Sequence, residues 1–403
     1  MEVQSNVAPG GRPLESVIST HHGDRTVLTG IHQRRHDRRQ GGVRFVTVGS
    51  LEELAHLAHG MSEKAAAAGI AIDGMKALVI CPAGIPESAE ERASLLADHI
   101  RQAISVDRNL LFGPDMGCQE DVLDIVATKH GLLSNVTGLS REHGGLEIDV
   151  NGLTAHGVTE AIRVAVPDLK GRKATIQGFG AVGAHTALML HDLGVRIVGV
   201  SNLHGTYRCD RGLEIPDMFR AWSRSGDAGL PGDITARVEF DSNPNHLLTI
   251  PCDIFVPAAR TSVLGTEDEI PRLRAENPDV SSIEAFLAKT DVQVIAEAAN
   301  HPLSFAAEHY AFSKGVQVLP DIIINPGGLV GCCYEHDHRM ALQERSLSYE
   351  LALDECRSLI TDTVRRNLEP ASKSVVTARH LREGAAEFTA RGAASQHSTR
   401  KAP

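Results

Sequence analysis

The chain has 403 residues and a mass of 43.2 kDa. A chain of this length is too long to fold around one ordinary hydrophobic core, which predicts two domains. A formal net charge of -11 and a single Trp argue against nucleic acid, an anionic membrane surface or a carbohydrate as partner. The N-terminal residues lack the basic and apolar regions of a signal peptide, and no apolar run is long enough to span a bilayer, so we expect a cytoplasmic protein.

The opening third of the chain reads as an α+β domain. Residues 1 to about 15 are polar and rich in Gly and Pro, which is typical of disorder. The run "RTVLTGI" predicts a strand, and the following "HQRRHDRRQGGVRF" predicts a solvated loop. Two segments with a Ser cap and early glutamates, "SLEELAHLAHGMSEKAAAA" and "PESAEERASLLADHIRQAI", predict amphipathic helices on either side of a buried strand, "KALVICP".

From Lys173 onward, short Val/Ile runs alternate with helical stretches, which predicts a parallel sheet covered on both faces. The predicted strands and helices are "KATIQGFG", "AVGAHTALMLHDLG", "VRIVGVSN", "CDIFVPAA", "VQVIAEAAN" and "VQVLPDIII". After Tyr334 the chain is predicted to be helical again, and residues 391–403 to be a disordered tail.

A glycine-rich turn predicts a dinucleotide site. Gly178, Gly180 and Gly183 form G-x-G-x-x-G directly after a strand and at the start of a helix. The first glycine permits the tight turn, the second lets the backbone approach a pyrophosphate, and the third lets helix and strand pack closely. The helix N terminus supplies amides for the anion. The intervening residues that share this turn are Phe179, Ala181 and Val182.

The cofactor that this turn predicts is NAD or NADP. An acid usually ends the second strand of an NAD site, but here the residue is Asn202, which brings no charge to repel a 2′-phosphate. His204 and Arg208 are placed to attract one. The sequence leaves the choice between the two cofactors open.

Two lysines lie in apolar surroundings. Lys64 and Lys76 flank a stretch of Ala, Gly and Ile, where burial of an ammonium costs several kcal/mol unless it is compensated. Downstream, "GPDMG" contains Asp115 and "LTAHGV" contains Thr154. On spacing alone, both lysines are expected to snorkel to solvent.

With these motifs in order, the chain resembles the glutamate/leucine/phenylalanine/valine dehydrogenases from about Val27 to Tyr334. The resemblance implies that Lys64 holds the substrate α-carboxylate, that Lys76 is the amine that activates water, and that Asp115 pairs with the substrate amino group and shuttles a proton. Burial and a neighbouring cation are expected to lower the pKa of Lys76 towards neutral pH.

The resemblance also implies further site residues. Those expected at the cofactor, besides the glycine turn and Asn202, are Thr154, Ala258, Ala259, Asn300 and Asn325. Those expected at the substrate, besides Lys64, are Gln40, Gly41, Gly42, Met61, Gly113, Asn300, Leu329 and Cys332.

Departures from the family pattern bear on specificity. Gln40 stands where glutamate-specific members carry a lysine, so a γ-carboxylate lacks its counter-charge and a neutral side chain is favoured. Asp73 replaces a glycine three residues before Lys76 and is expected to pair with that lysine and raise its pKa.

Cysteine and histidine clusters predict no metal site. The seven cysteines include no CxxC pair. The run Glu335, His336, Asp337 and His338 is predicted to be a solvated helix start, because neighbouring helical residues point in different directions.

We therefore predict two domains with a cleft between them. Residues 1–150, rejoined by helices from about 335–390, are expected to bind the amino acid and form the oligomer contacts, and residues 151–334 to bind the nucleotide in a doubly wound sheet. The implied reaction is NAD(P)-dependent oxidative deamination of an L-amino acid to a 2-oxo acid and ammonia, or its reverse, by a homo-oligomer. A cofactor-recycling cyclodeaminase or imine reductase and a non-catalytic ligand-binding homologue remain as alternatives.

Overall fold

The computed structural model describes residues 14–226 and 238–372, so both predicted disordered termini lie almost wholly outside the described residues. The chain divides into two compact units. Among the described residues, the first unit contains residues 14–151 and 328–358, and the second contains residues 152–226, 238–327 and 359–372. The C-terminal helical residues are thus shared between the units, whereas the sequence analysis assigned them all to the first.

The first unit contains a five-stranded mixed sheet. Its strands are β1 (Ser16–His22), β2 (Arg25–Ile31), β3 (Arg39–Val46), β4 (Asp73–Ile80) and β5 (Leu110–Gly113). The strand order is β1-β2-β4-β3-β5. β1, β2 and β4 pair antiparallel, whereas β3 runs parallel to both β4 and β5.

The first two helices of this unit begin where the sequence predicted, whereas the third was not predicted. They are α1 (Leu51–Ala68), α2 (Ala89–Val106) and α3 (Glu120–Thr128). The Ser50 hydroxyl accepts the Glu53 N–H at 3.0 Å, and the Ser88 hydroxyl accepts the Glu91 N–H at 3.1 Å. Each cap satisfies an otherwise unpaired amide of the first helical turn.

The predicted solvated loop at residues 32–45 is wrong for its second half, which forms strand β3. Residues 40–43 are buried, and Val43 and Phe45 belong to the core that also contains Phe112. Two arginines, one before this strand and one at its start, pair with a single carboxylate. Nε of Arg34 and Nε of Arg39 lie 3.2 and 3.3 Å from the same oxygen of Asp107. Pairing with a distant acid is what allows a charged stretch to enter a sheet.

The second unit is built on a seven-stranded sheet. Its strands are β6 (Lys173–Gln177), β7 (Arg196–Asn202), β8 (Gly205–Arg208), β9 (Glu239–Asp241), β10 (Ile254–Pro257), β13 (Val294–Ala296) and β14 (Gln317–Leu319), with a separate pair β11 (Leu264–Gly265) and β12 (Ser281–Ser282). The order is β14-β13-β10-β6-β7-β8-β9, and the five strands from β14 to β7 are parallel, as predicted.

Two antiparallel strands extend the predicted parallel sheet. β8 pairs with β7 and β9 pairs with β8. The sequence analysis missed this hairpin, whose turn is only Leu203 and His204 between the paired residues Asn202 and Gly205. Gly205 has φ +151°, and a Cβ there would lie 2.2 Å from the Asp241 carbonyl oxygen.

Helices complete both units. They are α4 (Leu153–Ala165), α5 (Ala181–Asp192), α6 (Ile215–Ser225), α7 (Ile270–Glu276), α8 (Ile283–Leu287), α9 (Phe305–Ser313), α10 (Asp321–Ile324), α11 (Gly327–Gln343) and α12 (Tyr349–Ser372). Within residues 14–226 and 238–372, none of the helices combines the length and the apolar character needed to cross a membrane.

Candidate active site

Lys76 is a buried amine in strand β4. Its side chain is 6% exposed, and Nζ donates a hydrogen bond to the carboxylate of Asp115. Burial lowers the pKa of Lys76; the Asp115 carboxylate opposes that effect and the Arg44 guanidinium adds to it. The direction is the one that the sequence analysis expected.

Asp115 lies just after β5 and remains a carboxylate at neutral pH. Burial opposes its charge, but the Lys76 ammonium and the Arg44 guanidinium outweigh burial and lower the pKa of Asp115 to about 2. The Met116 N–H also donates to this carboxylate at 2.7 Å. Over the whole neutral pH range, Asp115 is therefore a hydrogen-bond acceptor and a partner for a positively charged group.

Glycines make room for this pair. A Cβ on Gly42 would lie 3.0 Å from Nζ of Lys76 and 2.7 Å from the Pro114 carbonyl oxygen. A Cβ on Gly41 would lie 1.7 Å from the Met75 carbonyl oxygen. Neither position tolerates a side chain, so the Gln40-Gly41-Gly42 segment holds β3 against the backbone that carries Lys76.

The sequence analysis missed Arg44. It lies two residues after Gly42 on the same face of β3, and its guanidinium Nε lies 3.3 Å from the Asp115 carboxylate. Its position in "GGVRF" was visible, but a charge within a presumed loop gave no signal that it would be 12% exposed beside two other charged groups.

The other predicted substrate residues fall into two groups. Met61, on α1 with the half-buried Lys64, packs in an apolar cluster with Leu329 and Cys333. Gly113 lies near Cys332: a Cβ on this glycine would be 3.7 Å from that sulfur.

Gln40 is fully inside the first unit. The residue is 2% exposed, and its Oε1 accepts a hydrogen bond from the Cys333 thiol at 3.2 Å. Burial raises the pKa of the Cys333 thiol to about 12, so the thiol is neutral. The position that departs from the glutamate-specific pattern therefore carries a neutral amide that is bound to a neutral thiol.

The expected pairing of Asp73 with Lys76 is wrong. The Asp73 carboxylate accepts the N–H groups of Arg35 and His36 at 2.8 and 2.7 Å, and the His36 ring lies 3.0 Å away. Side chains three positions apart on a strand point to opposite faces. Asp73 therefore anchors the segment before β3 and does not contact the amine.

The predicted solvated helix start at 335–338 is also wrong, because it lies in the middle of α11 and Glu335 is completely buried. The carboxylate of Glu335 accepts the Gly138 N–H at 2.9 Å and pairs with Arg339 at 3.0 Å. Burial raises the pKa of Glu335, opposed by Arg339. The contacts of this buried ion pair connect α11 to the segment after α3.

The glycine turn of the second unit has the geometry that a pyrophosphate needs. Gly178 has φ +90°, and a Cβ there would lie 2.8 Å from Cα of Ala259. A Cβ on Gly183 would lie 1.9 Å from the Gly178 carbonyl oxygen. By contrast, a Cβ on Gly180, the N-cap of α5, would meet nothing within 4 Å among the described residues. The remaining turn residues are Phe179, which is buried, and Ala181 and Val182, which are half-buried.

Two buried acceptors are Gln177, which ends β6, and Asn325, which ends α10 and contacts the residues after β13. Asn325 donates to the carbonyls of Ala298 and Ala299 at 3.0 and 3.3 Å and to the side chain of Asn300 at 3.3 Å. Its own Oδ1, and Oε1 of Gln177, are buried without a hydrogen-bond partner among the described residues. These oxygens and the open space at Gly180 fit a nicotinamide dinucleotide, which brings amide donors and a pyrophosphate.

The remaining predicted cofactor residues occupy the same unit. Thr154 is half-buried in the first turn of α4, and Ala258 and Ala259 directly follow β10. Asn202 ends β7, where its side-chain oxygen accepts the His204 N–H at 2.9 Å. His156 lies 2.9 Å from the Thr361 hydroxyl.

A unit with a glycine turn on a doubly wound sheet, together with a unit that buries a lysine–aspartate pair, is the architecture of a nicotinamide-dependent amino acid oxidoreductase. Residues 144–400 match the family model described as Glutamate/Leucine/Phenylalanine/Valine dehydrogenase. The chain belongs to this family, whose members are oxidoreductases that act on CH–NH2 donors with NAD or NADP.

Known relatives agree with this assignment. The chain is 30% identical over 306 residues, 72% of its length and 67% of the relative's, to glutamate dehydrogenase A2 of Halobacterium salinarum. Its fold is similar to the hetero-hexameric glutamate dehydrogenase of Thermus thermophilus in a Leu-bound form, with TM-score 0.75, 23% identity and coverage of 96% and 89% of the two chains. It is also similar to L-tryptophan dehydrogenase of Nostoc punctiforme, with TM-score 0.60, 21% identity and coverage of 95% and 97%.

Proposed function

We propose that this protein catalyses NAD-dependent oxidative deamination of an L-amino acid with a neutral side chain, or the reverse reductive amination. The observation that carries the proposal is the buried contact between the Lys76 amine and the Asp115 carboxylate, beside glycines that leave no room for other side chains. Perturbed titratable groups held in such a setting are typical of catalytic acids and bases.

In the proposed reaction, Lys64 holds the substrate α-carboxylate and Asp115 accepts the substrate amino group as its charge partner. The substrate ammonium gives up one proton, which Asp115 passes to solvent, and a bound nicotinamide would accept the hydride that leaves Cα, so that an iminium remains. Lys76, as a neutral amine, takes a proton from water while the water oxygen bonds to the iminium carbon. Lys76 then returns its proton to the carbinolamine nitrogen, and as the C–N bond breaks the neutral amine takes the hydroxyl proton, so that the oxygen lone pair forms the carbonyl of the 2-oxo acid. The ammonia that leaves carries this proton away from Lys76 as ammonium.

The neutral substrate class is supported by Gln40. Since Gln40 is buried and its contact is a neutral thiol, a γ-carboxylate at this position would lack a counter-charge. The change Gln40→Lys is expected to raise kcat/KM for glutamate relative to leucine by at least about tenfold, or about 1.4 kcal/mol. Gln40→Met, which is uncharged, is the matched control and should give no such gain.

The choice of NAD over NADP is supported by the pairing of Arg208. Its guanidinium lies 3.0 Å from the Asp210 carboxylate and 3.9 Å from that of Glu239, so its charge is already matched. Asp210→Asn is expected to improve kcat/KM for NADP by about two- to five-fold, the range of an exposed ion pair. A wild-type preference for NADP would contradict this part of the proposal.

The proposal is tested by following nicotinamide absorbance while each L-amino acid is supplied with NAD or NADP. Net reduction of the nicotinamide is the expected result. Substrate turnover without net reduction would indicate a cofactor-recycling cyclodeaminase or imine reductase, and ligand binding without turnover would indicate a non-catalytic homologue. Either outcome would overturn the proposed dehydrogenase activity.

We also propose that the chain forms a homo-oligomer and works in the cytoplasm; the Thermus thermophilus relative is named as a hetero-hexamer, which supports an oligomeric assembly. All seven cysteines are free thiols, which suits a reducing compartment. The oligomer is tested by light scattering of the purified protein, where a monomeric mass would contradict it. The compartment is tested by fractionation of the source cells.

A further inference from the structure

Arg44 is a second cation that contacts the Asp115 carboxylate of the candidate active site, and its Nε shares one carboxylate oxygen with the Lys76 amine. Its Nε lies 3.3 Å from one oxygen of Asp115 and its terminal nitrogen 3.5 Å from the other. The side chain is 12% exposed and Asp115 is 15% exposed. A planar guanidinium that reaches both oxygens fixes the carboxylate plane as well as its charge.

The net charge of the buried groups around Lys76 depends on Arg44. With Arg44 and Asp115 ionised and Lys76 neutral, the three groups carry no net charge. Without Arg44, the buried carboxylate has Lys76 as its nearest cation, and loss of the lysine proton leaves an unpaired buried charge. An unpaired buried charge is strongly disfavoured, so the amine then retains its proton.

We propose that Arg44 is a positioning residue for the deamination reaction, whose guanidinium pairs with Asp115 so that Lys76 is free to release its proton. Arg44 touches neither substrate nor cofactor in this role and acts through Asp115. The inference rests on the proposed function, because it assigns Arg44 a part in the same site.

The other charged and titratable groups around Lys76 come from three elements. Asp115 and the buried Cys118 lie after β5, Arg44 lies on β3, and Glu53 lies on α1. Burial raises the pKa of the Cys118 thiol well above its usual range, so it stays neutral. The Glu53 carboxylate lies 3.6 Å from the Arg44 guanidinium and favours the charged form of Lys76.

The test measures the protonation of Lys76 in two ways on the full-length protein. The first is the pH dependence of kcat/KM for deamination, whose acidic limb reports the base. The second needs no substrate: trace acetylation with acetic anhydride over a pH series, with the modified fraction of Lys76 read by peptide mass spectrometry against the exposed Lys129. The midpoint of this curve reports the pKa of the amine whatever its accessibility.

For Arg44→Gln, both the acidic limb and the acetylation midpoint of Lys76 are expected to move up by about one pH unit. Arg44→Lys keeps the charge without the planar fork and should restore part of the shift. Glu53→Gln removes a negative charge and should move both values slightly down. The last two variants carry the test if Arg44→Gln does not fold.

Unchanged midpoints in the Arg44 variants, even with a lower kcat, would show that Arg44 acts on folding alone and would overturn the inference while leaving the proposed function intact. A shifted acetylation midpoint in a protein that oxidises no amino acid would do the reverse: it would support the role of Arg44 and overturn the proposed function.

Discussion

The two units hold their candidate ligands by opposite means. In the first unit the site consists of charged side chains removed from water: Lys76, Asp115 and Arg44 are each no more than 15% exposed. In the second unit the site consists of closely packed backbone at Gly178 and open space at Gly180. Substitutions that change charge but hardly change side-chain volume should therefore disturb the first site. Substitutions that add volume without changing charge should disturb the second.

The largest expected effect tests the charged site. Lys76→Ala should lower kcat/KM by about 10²- to 10⁴-fold, the contribution of a positioned general base, while the dissociation constant for NAD stays within about twofold of wild type. Lys129→Ala, which removes an exposed lysine paired with Glu90 in the same unit, is the control for loss of a cation. An active preparation whose rate survives Lys76→Ala would contradict the proposed base.

The second prediction concerns acid sensitivity of the first unit. His99 on α2 is buried between the hydroxyls of Thr20 and Thr29 at 2.9 and 2.7 Å. Burial, helped by His22, lowers its pKa from 6.5 to about 3. The unfolded chain takes up a proton below pH about 6.5 whereas the folded chain does not until about 3. The free energy of unfolding should therefore fall as pH falls, by about 3 kcal/mol between pH 7 and pH 4.

Urea unfolding at pH 7 and pH 4 checks this effect. His99→Gln should be less stable at pH 7 but should lose less stability between the two pH values than wild type. The exposed His309, on α9 of the second unit, provides a matched control, and His309→Gln should keep the wild-type difference. If His99→Gln kept it too, the buried imidazole would not be its source.

The third prediction tests the steric site with a pair of identical changes. Gly180→Ala adds a methyl group to open space, so the free energy of unfolding should stay within about 0.5 kcal/mol of wild type, whereas the dissociation constant for NAD should rise about tenfold or more because the methyl group occupies the approach to the pyrophosphate. Titration of NAD by calorimetry measures it. Unaltered NAD affinity would remove Gly180 from the cofactor site.

Gly183→Ala is the counterpart to that change. Its Cβ would lie 1.9 Å from the Gly178 carbonyl oxygen, so the protein itself should be destabilised, by about 1–3 kcal/mol. Thermal unfolding without nucleotide separates the two variants, since only Gly183→Ala should shift it clearly.

The smallest expected effect concerns Asp73. Asp73→Asn keeps the shape but weakens the acceptance of two backbone N–H groups, which should reduce the free energy of unfolding by about 1–2 kcal/mol. The acidic limb of kcat/KM should not move, because the carboxylate lies away from Lys76. A shift of that limb would show that Asp73 acts on the amine after all.

Much of the fold could be predicted from local sequence patterns. The Ser50 and Ser88 caps and the strand–turn–helix at Gly178 depend on residues within a few positions of one another, so the sequence analysis located them correctly. Strand β3 was missed because Arg39 is compensated by Asp107 and Arg44 by Asp115, each about seventy residues away. Strands β8 and β9 were missed because they are short, of mixed polarity, and carry no apolar run of their own.

Amino-acid order therefore determined the capped helices, the parallel strands and the glycine turn, because each depends on short-range geometry and periodicity. Only tertiary packing decided that Arg44 lies against Asp115, that Asp73 serves the segment before β3, and that Glu335 is an interior anion. The physical reason is that the energy of a charge depends on its burial and on its nearest partner, and in this chain those partners are supplied by strands and loops distant in the sequence.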